Sequence, residues 1–146
     1  MSGIIVGVDG SGHSQRALER AMHEAALHQV PLTVITVSEA IRGYFSGMAI
    51  YPDDAERTEE ARKLAQAETD KVLAELDEPR PASVTVKAVH GFPVEELINA
   101  GKDADMIVVG SRGAGGFTRL MMGSVANQVA QHAHCPVLIV PPENRG

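Results

Sequence analysis

The sequence predicts an α/β fold. It reads as a single doubly wound domain over residues 1–146, with a five-stranded parallel sheet of order 3-2-1-4-5 and four helices on both faces. Three observations carry this. Apolar runs and helical repeats alternate strictly along the chain. The apolar runs are nearly continuous, the pattern of strands covered on both faces. No linker, repeat or low-complexity segment divides the 146 residues, a length that suits one domain of about 100–200 residues. Strands joined through helices run parallel, and right-handed crossovers place helices on both sides of the sheet.

The elements follow in order. Residues 4–8 (IIVGV) form a buried strand that ends at the turn cluster Asp9, Gly10, Ser11 and Gly12. Ser11 or Ser14 caps a helix in which Leu18, Ala21, Met22 and Ala25 recur at helical spacing. Pro31 precedes a second strand over 32–37. Residues 38–53 are less regular, interrupted by Gly43, Gly47 and Pro52, and long for a strand-to-helix loop. A charged helix runs from Asp53 to about Leu76, with Ala61, Ala65, Val72 and Leu76 on one face, and Pro79 and Pro81 stop it. The third strand, 83–89, alternates more and belongs nearer a sheet edge. Pro93 opens a short helix carrying Val94, Leu97, Ile98 and Gly101. A fourth strand, 106–109, ends at Gly110. Val125, Ala126, Val129 and Ala133 mark the last helix, and 137–140 the fifth strand.

Composition narrows the function classes. One cysteine excludes an internal disulfide framework and a four-cysteine metal site. Five aromatic residues against nineteen alanines imply a core of aliphatic side chains and small helix faces. The formal charge of −6 argues against nucleic acid, whose backbone asks for a basic stripe. The N-terminus lacks the basic and apolar regions of a signal peptide, and no apolar stretch reaches membrane-spanning length, so the expected location is cytoplasmic.

Ligands of open α/β sheets bind beyond the carboxyl ends of the strands, where loops 9–13, 38–52, 89–92 and 110–123 emerge. The last is the richest, holding five of the fourteen glycines and ending in Gly123 and Ser124 at a helix start. Glycine lets backbone amides approach an anion, and a helix start adds free donors. Arg112 and Arg119 supply positive charge there, or are merely solvated. Asp9 ends a buried strand; it accepts from a ribose hydroxyl, sits near a phosphate-bound metal, or only bonds its own turn. His90 and His13 lie on neighbouring loops. His132, His134 and Cys135 cluster at a helix end without a fourth ligand, and Cys135 reads as a core thiol.

Several nucleotide and catalytic motifs are absent. The 110–124 segment lacks the lysine of a GxxxxGK[ST] phosphate loop, and the first turn lacks GxGxxG spacing. Neither a GxSxG nucleophile elbow nor the carboxylate cluster and distal lysine of a receiver domain is present. No nucleophile, base and orienter stand together, so the sequence predicts binding rather than turnover.

The segment Gly110-x-x-Gly113, nine residues, then Gly123-Ser124, resembles the ATP-binding signature G-2x-G-9x-G-[S/T] of the universal stress protein family. The opening IVGVDGS (5–11), Gly91-x-Pro93 and the tail CPVLIV (135–140) are also similar to that family, so the resemblance spans essentially the whole chain. It implies an adenine-nucleotide alpha-hydrolase-like fold that binds ATP or another adenine nucleotide, AMP or cyclic AMP included, with Mg or Mn on the phosphates. By this resemblance Asp9, with Gly10 beside it, lies at the ribose or the metal–phosphate region. Val37 offers its backbone to adenine, and Ala88, Val89 and His90 lie near the base or ribose. Gly110, Gly113, Gly123, Ser124 and Val125, together with Arg112, hold ribose and phosphates. The resemblance further implies a stress-response regulator, with a weak metal-dependent ATPase or phosphotransferase as the alternative. It also implies a homodimer through Val137, Leu138, Ile139 and Val140 of the last strand.

Overall fold

The structure is a computed structural model that describes residues 3–39, 44–45, 48–49, 54–77, 79–112 and 123–142. In chain order the elements are β1 (Ile4–Val8), α1 (Gly12–His28), β2 (Pro31–Glu39), β3 (Tyr44–Phe45), β4 (Met48–Ala49), α2 (Asp54–Glu75), β5 (Ser83–Gly91), α3 (Pro93–Ala100), β6 (Met106–Gly110), α4 (Ser124–His132) and β7 (Val137–Val140). The main sheet is all parallel, in the order β5-β2-β1-β6-β7. Counting only its own strands, that is the predicted order 3-2-1-4-5.

The continuous apolar runs have a direct structural cause. Along β1, Ile4, Val6 and Val8 face one core while Ile5 faces the other. Leu32 and Val34 of β2 separate in the same way from Ile35 and Val37, and Val108 of β6 from Ile107 and Val109. Each strand is thus apolar on both faces because a helical layer covers each.

The first core lies under α1 and α2. Ala17, Leu18, Ala21, Met22 and Ala25 of α1 are fully buried, and Ala65 and Val72 bring α2 onto β2 and β5. The alanines keep these helices close to the sheet. The second core lies under α3 and α4, with Leu97, Ala126 and Val129 at its centre.

The ends of α1 are fixed by side chains. Ser11 is the N-cap and its Oγ accepts from the Ser14 amide at 3.3 Å. Gln29 closes the helix in the left-handed region at φ 53° and donates from Nε2 to the carbonyls of Ala26 and Arg80, at 2.8 and 2.9 Å. That pair ties the end of α1 to the approach to β5.

Three expectations need correction. Residues 38–53 are not wholly irregular: Tyr44–Phe45 and Met48–Ala49 pair antiparallel as a small second sheet. Strands of two residues are too short to show a period in sequence. Second, β2 runs from Pro31 to Glu39, longer at both ends than the apolar run 32–37. Proline is accommodated because it is the first residue of the strand. Third, β5 continues through His90 and Gly91, which pair with Ser38 and Glu39, so His90 stands on a strand end rather than a loop.

Candidate functional site

The sheet opens at its carboxyl edge. The β1–β6 ladder stops at Val6↔Val108, although β1 continues to Val8 and β6 to Gly110. The two strands therefore part over their last two residues, where the strand order reverses between β2 on one side of β1 and β6 on the other. A crevice at such a reversal is the general ligand position of this architecture. On the other side, β1 ends opposite Thr36 while β2 runs on to Glu39. That step leaves the β1 side of Val37 and Ser38 without a strand neighbour.

A cavity of about 530 Å³ occupies this opening. Its volume falls within the roughly 300–1,000 Å³ of small-molecule sites. Gly7, Val8 and Asp9 of β1 and its following turn, residues 35–38 of β2, and Val109 and Gly110 of β6 form the floor. Pro93 and Leu97 of α3 close one flank, with residues 123–126 at the start of α4; Arg57 and Ala61 of α2 stand on another. Leu97 reaches the floor because Gly7 has no side chain: a Cβ there would stand 3.0 Å from both Leu97 methyl groups.

Asp9 is organised by the start of α1. Its Oδ1 accepts from the Ser11 amide at 2.9 Å and the Ser11 hydroxyl at 2.6 Å. Its amide donates to Ser14 Oγ at 3.2 Å, and the Ser14 hydroxyl donates to the Ser11 carbonyl at 3.1 Å. The tight turn requires the positive φ of 82° at Gly10. The self-bonded turn is thus realised, and the same carboxylate also borders the cavity. Glu68 on α2 adds charge behind it. Burial, and secondarily the Asp9 carboxylate, hold Glu68 above the ordinary glutamate range against the opposing pull of Lys71, and its Oε2 is buried without a hydrogen bond.

The end of the cavity at the start of α4 is suited to an anion. Gly123 is the N-cap of α4, with no side-chain cap, and its own amide donates to the Ser111 carbonyl. The first-turn amides of Ser124, Val125 and Ala126 have no acceptor within the helix. They carry the partial positive charge of a helix start, and Arg112 borders the same space. Among the described residues, the charged side chains lining the cavity are Asp9, Arg57 and Arg112. A chain of net charge −6 therefore has a locally cationic pocket.

Of the residues singled out in the sequence, the fold brings Asp9, Val37, Gly110, Arg112, Gly123, Ser124 and Val125 to this one cavity. Gly10, Ala88, Val89 and His90 are not among its lining residues, and Gly113 lies outside the described residues. Sequence reasoning missed Thr36 and Ser38, two buried hydroxyl residues on the floor, and Arg57 on the flank, and it read Ser14, which also borders the cavity, only as a helix cap. Thr36 and Ser38 alternate with apolar neighbours at the end of β2, a weak signal that a strand end faces a polar space. Cys135 packs at the margin of the second core, and burial raises its thiol pKa, as suits an inert core thiol.

The family model for the universal stress protein family matches residues 1–141. The chain belongs to the universal stress protein family. Among curated members, the universal stress protein YxiE of Bacillus subtilis is 35% identical over 94% of this chain and 97% of its own. The chain spans about half the length of several mycobacterial members that it matches at 34% identity. Two solved members were captured with ligands. A universal stress protein in complex with cAMP is 28% identical, at a TM-score of 0.59, with 94% of each chain covered. The universal stress protein of Archaeoglobus fulgidus in complex with dAMP is 26% identical, at a TM-score of 0.62, covering 94% of this chain and 95% of that one. Among the described residues, no helix is long and apolar enough to cross a membrane.

Proposed function

We propose that this universal stress protein binds an adenine nucleotide in the crevice between β1 and β6 and acts as a nucleotide-responsive regulator in a stress response. The observation that carries the reading is the polarity of the cavity. One end offers the free first-turn amides of α4 and Arg112, and the other offers the unpaired backbone step of β2. The phosphate takes the α4 end, where helix dipole and guanidinium act together. The base takes the β2 end, where backbone groups at Val37 and Ser38 recognise its edge. Asp9, between the two, accepts from the ribose.

A nucleoside monophosphate or its cyclic form is the preferred ligand. A single phosphate is matched by one helix start and one arginine, and the relatives solved with ligands hold cAMP and dAMP. ATP, the ligand the Gly110–Gly123 signature implies, is the competing reading. Gly113 belongs to that competing reading as a phosphate-holding residue of the signature. A Mg or Mn ion accompanying them would be held by the phosphates and by Asp9, since such ions take one or two carboxylates plus phosphate oxygens. Gly10, Ala88, Val89 and His90 belong to the same proposal as residues around the ribose and base. Slow hydrolysis of ATP would have to be metal-dependent and disappear in Asp9→Ala while the fold persists.

Calorimetry with AMP, cyclic AMP and ATP, with and without magnesium, tests the reading. Stoichiometric binding of AMP or cyclic AMP more tightly than ATP is expected. ATP as the tighter ligand would restore the competing reading, and a folded protein that binds none of the three overturns both.

A second copy of the chain is the proposed partner at β7, an edge strand of the main sheet, through Val137–Val140. An apolar edge strand of this kind needs covering. Sedimentation should give a dimer; a monomer at tens of micromolar would exclude it.

A further inference from the structure

The cavity is bordered by a second arginine that neither the glycine signature nor the helix start explains. Arg57 lies in the first turns of α2, is exposed, and borders the cavity beside Ala61. Three other arginines of the described residues, Arg20, Arg62 and Arg80, are tied down, the last through the Leu73 carbonyl at 3.3 Å. Arg62, little more than one turn further along α2, is held by Glu59 through three contacts of 2.8–3.1 Å, and Arg20 pairs with Glu24 at 3.0 Å. Arg57 makes no hydrogen bond or ion pair within the described residues. Its guanidinium is left for something else.

Position decides what that is. α2 packs on β2 and β5, so Arg57 approaches from the β2 end, while the free amides of α4 and Arg112 mark the far end beyond β1. An anion already satisfied at the α4 end has no need of a cation at the β2 end. A planar aromatic group does. No aromatic side chain stands among the described lining residues, so among them the planar group on the α2 side that could stack on a base is the Arg57 guanidinium. Ala61 keeps the wall beside Arg57 small, and Ile35 and Val37 border the same cavity with side chains on the other face of β2. A guanidinium is itself planar, weakly hydrated, and attracted to the face of a π-system within about 6 Å.

We infer that Arg57 is a specificity residue of the nucleotide site, which closes over the base and stacks its guanidinium on the purine face rather than contacting the phosphate. The inference rests on the adenine-nucleotide reading and adds its base-side determinant. It assigns the two arginines different tasks: Arg112 attends to charge, Arg57 to the ring.

Nuclear magnetic resonance and calorimetry on the full chain test this with two probes, AMP and ribose 5-phosphate, which shares the phosphate and lacks the base. AMP should move the Arg57 Cδ protons upfield through the ring current, and ribose 5-phosphate should not. Arg57→Ala should weaken AMP by about three- to tenfold, the range of an exposed to partly desolvated cation–π contact. An equal response of Arg57 to both probes would make it an anion contact and overturn the inference, as would unchanged AMP affinity in the variant. Both failures leave AMP binding by the unaltered protein in place. If the unaltered protein does not bind AMP, the inference falls together with the monophosphate reading. The proton shifts are read on the unaltered chain, so they decide the matter even if the variant folds poorly.

Discussion

Glu68 shows how a single residue can couple the site to pH. Its carboxylate loses solvation on α2, carries one oxygen without a hydrogen bond, and faces the field of Asp9, while Lys71 offsets part of this. The folded state therefore holds the Glu68 proton more tightly than the unfolded chain does. A group with a raised folded pKa contributes stability that is fully present below the unfolded value and lost as pH rises through the folded one. The penalty grows as pH rises above the unfolded value and is complete above the folded one. Glu68→Gln keeps the shape and removes the charge, so it should raise the melting temperature at pH 7. The advantage should shrink as pH falls through the glutamate range and vanish below it. Melting curves from pH 3.5 to 8 check this; a gain that is equal at all pH values would mean that charge is not the cause. Cys135 carries a raised pKa too, and should react slowly with thiol reagents at pH 7.

At the scale of elements, the start of α1 serves both packing and site. Ser11 caps the helix and also donates to Asp9. Ser11→Ala should cost about 0.5–2 kcal/mol, the usual value of a lost N-cap. It should also weaken nucleotide binding through a less ordered Asp9, whereas an unchanged melting temperature would show that water replaces the cap. The elements differ in how openly the sequence declares them. The strands of the main sheet are legible because burial on both faces writes a continuous apolar run. The α4 start is legible because Gly110, Arg112, Gly123 and Ser124, which share the cavity, are close in sequence. Thr69 was not, although it is fully buried on α2: its hydroxyl donates to the Ala65 carbonyl at 2.7 Å and so satisfies itself within the helix. Arg57 was not either, since its place depends on how α2 crosses β2, which no local pattern records. The β3–β4 hairpin was too short to have a period.

At the scale of the whole molecule, the two helical layers border the cavity from different sides, α2 from one and α3 with α4 from the other, across the gap between β1 and β6. A ligand that touches both layers and the sheet between them should stabilise the entire fold rather than one loop. Linkage gives the size: at a hundred times Kd the native state gains about 2.7 kcal/mol. For a domain of this length that corresponds to a rise of roughly 5–10 °C in Tm, at about 2–4 °C per kcal/mol. AMP should therefore raise Tm in one cooperative transition, by an amount that grows with the logarithm of its concentration. Gly123→Val provides the control. Gly123 is buried on the cavity at φ −64°, a conformation open to any residue, so valine is tolerated by the backbone but places bulk beside the α4 amides. Measured against its own ligand-free Tm, the variant should lose most of the AMP-dependent rise. A full rise in Gly123→Val would move the phosphate away from the start of α4, and a rise confined to one of two separate transitions would mean that the ligand bridges only one layer.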